Sequence, residues 1–165
     1  MNGLAHAMDG RPDPMTVLVR VSPEAEWEPR TVARINALSQ GCARVVLLAG
    51  IGEPRDDINP AYSLRKLVPA ISQALGRDVQ FISQSIGGGA EEAISRLEAG
   101  GIAIVENLRF HGARKANAGS FAMQLSVLGD YFVDEGQKPQ DPAGWQIRLA
   151  ALLPEPPAEI SSGQA

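Results

Sequence analysis

The sequence is poor in cysteine, in basic residues and in long apolar runs, and each shortage excludes a class of protein. Cys42 is the single cysteine, so neither an internal disulfide nor a multi-cysteine metal site can form. Lys and Arg number 15 against 19 Asp and Glu, which gives a formal net charge of −4. Nucleic-acid-binding proteins carry a basic face, so we expect no nucleic-acid partner. No apolar run reaches the length of a membrane span, so we expect no membrane partner either.

What the chain does contain is typical of one globular domain. It has 165 residues, of which 44% are hydrophobic and 21% are charged. Residues 1–14 have no signal-peptide pattern and are predicted to be a flexible leader, with translation starting at Met1 or Met15. Residues 15–153 form the predicted domain, and the proline-rich residues 154–165 are predicted to be a disordered tail. A cytoplasmic location is compatible with these features and is the location that we expect.

Short apolar runs alternate with amphipathic segments along the chain. The predicted strands are Thr16–Val21, Val45–Ala49, Val79–Ile82, Ile102–Val105 and Tyr131–Val133. Helices are predicted between them, over 30–40, 62–75 and 90–97, from a cap at Ser120, and around Trp145 to Leu152. The strand runs lack polar alternation, which indicates burial on both faces. The sequence therefore predicts a three-layer, doubly wound α/β fold with a mostly parallel, Rossmann-like sheet.

Ligands of such sheets bind beyond the carboxyl ends of the strands, and the loop after Val105 is the richest in charge there. Arg109, Arg114 and Lys115 accompany His111 in this loop, so it could bind an anion, with Arg109 as the best-suited group. The alternative interpretation is a solvated basic loop. No Ser, Cys or carboxylate is linked to His111 by a recognised spacing, so no catalytic residue is predicted.

Three other features have weaker signals. The run Gly87-Gly88-Gly89 could bind a phosphate at a helix start, but it lacks the lysine of a P-loop, and a structural turn is the favoured interpretation. Asp56 and Asp57 are interpreted as a solvated turn, so no metal site is predicted. Cys42 is predicted to be a buried core thiol rather than a nucleophile.

Several strings, taken in order, carry a resemblance to a known family. They are VRV, GCARVVLLAGIGEP, YSLRKLVPAISQALGRDVQFISQSIG, VENLRF and FAMQLSVLGDYFVDE. Over about residues 16–153 the chain resembles the N-terminal domain of phosphoglycerate kinase, in which Glu-Asn-Leu-Arg-Phe is among the most specific strings. The resemblance implies a basic patch for 3-phosphoglycerate at the strand ends, facing a second domain that holds the magnesium nucleotide. No cofactor is therefore expected, unless a separate C-terminal half supplies ATP and magnesium.

The chain departs from the family pattern at most positions of that patch. The family's Arg-Val-Asp-Phe-Asn is replaced by the residues 20–24, RVSPE, and its Ser-His-Leu-Gly-Arg-Pro by 49–54, AGIGEP. The histidine thus becomes Gly50 and the arginine becomes Glu53. The Asn-Asp-Ala-Phe-Gly and His-Arg-Ala-His segment is replaced by residues 134–142, DEGQKPQDP, which contain neither histidine nor arginine. Arg109 matches a patch residue, and Arg30 and Arg34 are both candidates for the arginine near the first helix.

Two principal functions follow as expectations. The first is a non-catalytic interaction or regulatory module, with a protein partner or a second copy covering the exposed sheet end and at most weak binding of a phosphorylated small molecule. The alternative is the substrate-binding half of a split phosphoglycerate kinase, which would transfer a phosphoryl group between ATP and 3-phosphoglycerate. A third hypothesis is a small anion-binding protein that uses Arg109, Arg114 and Lys115.

Overall fold

The computed structural model describes residues 13–24, 26–54, 58–111, 118–137 and 144–161. Its strands are β1 Thr16–Arg20, β2 Arg44–Leu48, β3 Val79–Ile82, β4 Ile102–Val105 and β5 Tyr131–Asp134. Each predicted strand is present, with ends shifted by at most one residue. These five form one sheet in the order β3-β4-β2-β1-β5, in which every neighbouring pair is parallel.

The sheet is buried on both faces because successive side chains of a strand point to opposite sides and both sets are apolar. Leu18, Val46 and Val105 belong to the core on one face, together with the later helices of the chain. Val19, Leu47 and Ile104 belong to the core on the other face, together with the earlier helices. The chain is thus a three-layer, Rossmann-like α/β domain.

Six α-helices lie in the described ranges. They are α1 Pro29–Gln40, α2 Val68–Leu75, α3 Gly88–Ser95, α4 Ala118–Ser126, α5 Trp145–Leu152 and α6 Ala158–Ser161. Helix α1 starts with Pro29, whose missing N–H costs nothing in a first turn. Ser120, which was expected to cap α4, lies inside that helix.

The helix predicted over 62–75 is only half α-helical. Two 3₁₀ turns, Pro60–Tyr62 and Leu64–Leu67, precede α2. Pro69 explains the difference, because proline cannot donate the backbone hydrogen bond that a helix interior requires, and it is tolerated in the first turn of α2. Gly76 ends α2 in the left-handed conformation at φ 65°, as the sequence indicated.

Cys42 is exposed, so the prediction of a buried core thiol is wrong. The residue follows α1 with φ 66° and reverses the chain direction into β2. This left-handed position lies outside the core, where its side chain projects into solvent.

The expected disordered tail contains a packed segment over residues 154–161. The N–H of Phe132 in β5 donates to the carbonyl oxygen of Pro154 at 3.0 Å, Pro156 is buried, and Ile160 packs on the core beside α1. Pro154 therefore pairs with the free edge of β5 and the single turn of helix packs against α1, which accounts for the ordered structure in a segment without apolar periodicity.

None of the helices in the described part of the chain has the length and hydropathy of a membrane span.

Candidate functional site

The carboxyl ends of β1, β2, β4 and β5 meet at one edge of the sheet, which we call the carboxyl edge. The loops that start at Val21, Ala49, Glu106 and Glu135 follow these strands. Because the strands are parallel and adjacent in the sheet, residues far apart in sequence are brought together here.

Glu106 and Asn107 hold the loops of this edge in place. The Glu106 carboxylate accepts hydrogen bonds from Ser63 Oγ at 2.7 Å, from Leu64 N at 2.9 Å and from Asn107 N at 2.8 Å. Ser63 and Leu64 lie at the start of the second 3₁₀ turn. The carboxylate therefore fixes this turn against the end of β4, which is a structural role.

The Asn107 side chain is fully buried and all of its hydrogen-bonding capacity is used. Its Oδ1 accepts from Ile51 N at 3.2 Å and from Arg109 N at 3.0 Å. Its Nδ2 donates to the carbonyl oxygens of Ile51 at 3.0 Å and Tyr62 at 2.9 Å. One amide thus links three loop segments, and it fixes the backbone from which Arg109 projects.

Arg109 lies at the carboxyl edge, as the sequence predicted, but its side chain is bonded to the neighbouring loop. Its Nη1 donates to the carbonyl oxygen of Gly52 at 2.6 Å. A Cβ atom at Gly50 would lie 2.9 Å from the Cγ of Arg109, so the arginine stem passes directly over that glycine. Arg114 and Lys115 lie outside the described residues.

Arg34, the second candidate cation, is engaged by two carboxylates. Its Nη1 lies 3.0 Å from Glu135 Oε1 and its Nη2 lies 3.8 Å from Glu155 Oε2. The Glu135 side chain is only 4% exposed and also accepts from Thr31 Oγ1 at 3.2 Å. Burial removes water from the Glu135 carboxylate, whereas the Arg34 side chain remains 31% exposed, so Arg34 is the main source of charge compensation for Glu135.

Arg30 lies on the exposed rim of a cleft between β1, α1 and β5. The cleft is lined by Val21, Ser22, Glu26, Trp27, Glu28, Arg30, Thr31 and residues 134–137. The indole Nε1 of Trp27 donates to the carbonyl oxygen of Ser22 at 3.0 Å, which holds the ring on the wall of the cleft. The other charged side chains that line the cleft with Arg30 are therefore carboxylates and not cations.

Sequence reasoning missed the role of Arg20, which contacts Asp134 and Gln137 of the cleft wall. Its Nε donates to Asp134 Oδ1 at 2.8 Å, and its Nη2 donates to the carbonyl oxygen of Gln137. A Cβ at Gly136 would lie 2.7 Å from the Cζ of Arg20, so the guanidinium is in close contact with that backbone. The signal available in the sequence was an arginine and an acid at two strand ends, but only the sheet order places those ends together.

His111 has its ring centroid 6.2 Å from that of Phe121 in a stacked arrangement. Desolvation beside this aromatic group lowers the pKa of His111 below its usual value of 6.5. At neutral pH the imidazole is therefore uncharged, and it adds no positive charge to the carboxyl edge.

The remaining sequence candidates carry no site in the described part of the chain. The side chain of Gln84 lies over Gly89, where its Oε1 occupies the position that a Cβ would take, so it covers the start of α3. Asp56 and Asp57 are outside the described residues. Within the described ranges no three His, Cys, Asp or Glu side chains are grouped as metal ligands would be.

Comparison with known proteins gives a consistent result at the level of sequence. A family model described as phosphoglycerate kinase matches residues 28–137. The phosphoglycerate kinase of Methylobacterium radiotolerans is 37% identical over 106 residues, which are 64% of this chain and 26% of that protein. The one from Rhodospirillum centenum is 34% identical over 127 residues, or 77% of this chain and 30% of that protein. The chain thus spans about a quarter to a third of the length of these relatives.

Solved structures support the fold. The phosphoglycerate kinase of Coxiella burnetii superposes with a TM-score of 0.67 at 19% identity, covering 87% of this chain and 39% of the other. That of Pyrococcus horikoshii gives a TM-score of 0.59 at 23% identity, covering 78% and 36% of the two chains.

Proposed function

Because this chain belongs to the phosphoglycerate kinase family, we propose that it is a non-catalytic member whose carboxyl edge serves as an interaction or regulatory surface. In this proposal the edge does not hold 3-phosphoglycerate with useful affinity. A protein partner or a second copy of the chain covers it instead, and the domain works in the cytoplasm.

The observation that carries the proposal is that three arginines of this edge already have partners within the chain. Arg20 is bonded to Asp134, Arg34 to the buried Glu135, and Arg109 to a backbone carbonyl. Removing a guanidinium from a buried carboxylate costs on the order of 3 kcal/mol. At about 1.4 kcal/mol per tenfold, recruiting Arg34 alone would weaken substrate binding by about a hundredfold.

Glu53 adds to this cost. It is exposed in the loop after β2, at the position where the family pattern has an arginine. A carboxylate about 4 Å from a bound phosphate would be repelled by up to about 4 kcal/mol at an effective dielectric of 20. The replacement therefore turns attraction into repulsion at this position.

Calorimetric titration with 3-phosphoglycerate tests the loss of substrate binding. We expect no saturable heat at millimolar concentrations, with a full-length phosphoglycerate kinase titrated in parallel as the positive control. A dissociation constant in the micromolar range would refute the proposal.

The interaction role needs its own test, by affinity capture and by sedimentation of the purified chain. Glu28→Lys and Glu53→Lys change the charge of the carboxyl edge, whereas Glu98→Lys changes an exposed carboxylate before β4, at the opposite end of the sheet. We expect the two edge variants to weaken a stoichiometric complex or a self-association that Glu98→Lys leaves intact. Failure to find any complex would count against an interaction module.

One observation favours a second candidate, the substrate half of a split kinase. Arg109 matches the family's basic patch and is exposed at the carboxyl edge. In that case a separate nucleotide-binding chain would supply ATP and magnesium. Mixing the two chains should then produce phosphoryl transfer that Arg109→Gln abolishes, and turnover no greater than that of the added chain alone would eliminate this candidate.

A further inference from the structure

The side chain of Arg109 follows an unusual course, which depends on the residue at position 50. A Cβ placed on Gly50 would lie 2.9 Å from Cγ, 3.3 Å from Cδ and 3.2 Å from Nε of Arg109. Real Cβ atoms do not come within 3.0 Å of a neighbouring carbon, so the observed path of the stem exists only because residue 50 has no side chain.

The same course directs the guanidinium at the loop backbone. Nη1 donates to the carbonyl oxygen of Gly52, and Nε lies over Gly50. A guanidinium binds an oxyanion through two nitrogen atoms at once. The two are either Nη2 and Nε or Nη2 and Nη1. Nη1 is thus already bonded to the loop, and the stem holds Nε against Gly50, so an anion that binds through either of them must compete with the loop for the guanidinium.

We infer that Gly50 and Gly52 form a self-inhibitory slot that holds Arg109 away from anions at the carboxyl edge. The inference rests on the proposed function, because it gives one physical cause for the loss of substrate binding. It predicts that a small side chain at position 50 releases the guanidinium and restores oxyanion binding.

The release involves a rotation of the side chain rather than a shift of the backbone. The N–H of Arg109 is bonded to Oδ1 of the buried Asn107 at 3.0 Å, and that amide is itself held by Ile51 and Tyr62. Gly50 is not among the glycines with a positive φ, so alanine is compatible with its backbone conformation. The Cβ of Gly50→Ala would therefore displace the flexible arginine stem and leave the loop in place.

The test follows the side-chain Nε–H resonance of Arg109 by NMR in the whole chain, with inorganic phosphate as the probe. Gly50→Ala should move this resonance in the free protein and raise the affinity for phosphate by about tenfold, the effect of one added charge-assisted contact. Gly88→Ala is the matched control, because a Cβ at Gly88 meets nothing within 4 Å. The double variant Gly50→Ala with Arg109→Gln should lose the gain, which separates Arg109 from any other cation nearby.

Two results would overturn the inference. One is an Arg109 resonance that Gly50→Ala leaves unmoved, and the other is a moved resonance without a gain in phosphate affinity. Both differ from failure of the proposed function, which would appear as micromolar binding of 3-phosphoglycerate by the unaltered chain. If Gly50→Ala unfolds the protein, a phosphate titration of the Arg109 Nε–H resonance in the unaltered chain replaces it: no saturable shift is expected, and a saturable shift would overturn the inference.

Discussion

Arg20 and Asp134 are register partners on the adjacent strands β1 and β5, and their side chains meet with Nε 2.8 Å from Oδ1. The arginine side chain is 12% exposed and the aspartate 32%. The carboxylate of Asp134 on β5 thereby neutralises the charge of Arg20 on β1. The same arrangement recurs in the first residue after β5, where Glu135 meets Arg34 of α1. The carboxyl edge therefore supplies carboxylates to two of its own arginines.

Arg34→Leu should destabilise the domain by about 2 to 3 kcal/mol, because it leaves the buried carboxylate of Glu135 without its cation. Urea unfolding followed by circular dichroism measures the change. Arg96→Leu removes an exposed pair with Glu92 and should cost less than about 0.5 kcal/mol. Equal effects of the two substitutions would show that Glu135 is not dependent on Arg34.

Asn107→Leu should destabilise the domain by about 3 kcal/mol, since it leaves buried backbone groups of the linked loops without partners. Thermal unfolding gives the change in stability, and hydrogen exchange at the Ile51 amide shows whether the loop opens. Asn59→Ala, which removes an exposed cap on Ala61 N, is the control and should cost at most about 1 kcal/mol. An unchanged Ile51 amide would contradict the assigned role.

Gly100→Ala should cost about 2 to 3 kcal/mol for two combined reasons. Gly100 has φ 82°, and a Cβ there would lie 2.8 Å from the carbonyl oxygen of Ser39. The contact is with backbone at the end of α1, which cannot rotate away. Gly88→Ala, with an open position for its Cβ, should have little effect or a slightly stabilising one. Chemical denaturation distinguishes the two.

Cys42→Gly should stabilise the domain by up to about 1 kcal/mol, because glycine adopts the φ of 66° at this position without the Cβ penalty. Cys42→Ser, which keeps the Cβ, should leave the unfolding midpoint nearly unchanged. If glycine and serine behave alike, left-handed strain at residue 42 makes no contribution to stability.

His111 should make stability depend on pH on the acidic side of neutrality. Its pKa is lowered in the folded state by desolvation, so the unfolded chain binds more protons between that pKa and 6.5. The free energy of unfolding should therefore fall as the pH drops from 6.5 to the pKa of the folded state. Below that pKa His111 is protonated in both states, so its effect on stability no longer changes with pH. His111→Gln removes the effect, so the unfolding free energy of the unaltered protein minus that of the variant should decrease from pH 7.5 to pH 5. A difference that is constant with pH would contradict the lowered pKa.

The architecture could be predicted from the sequence because it depends on local patterns. Ile102–Val105 and residues 45–48 of β2 are apolar at every position, which is typical of strands in a sheet covered on both faces. The helix predicted over 62–75 was longer than the α-helix observed, because the apolar spacing outweighed the effect of Pro69. The position of Arg109 at a strand end was equally a local matter.

The charge balance of the carboxyl edge could not be predicted in that way. Arg34 and Glu135 are 101 residues apart, and Arg20 and Asp134 are 114 residues apart. The sequence by itself determined which residues carry charge and that strand ends would gather them. Only the tertiary structure decided which charges meet, because the order of strands places β5 beside β1, and because burial leaves a carboxylate such as Glu135 no water to replace its arginine.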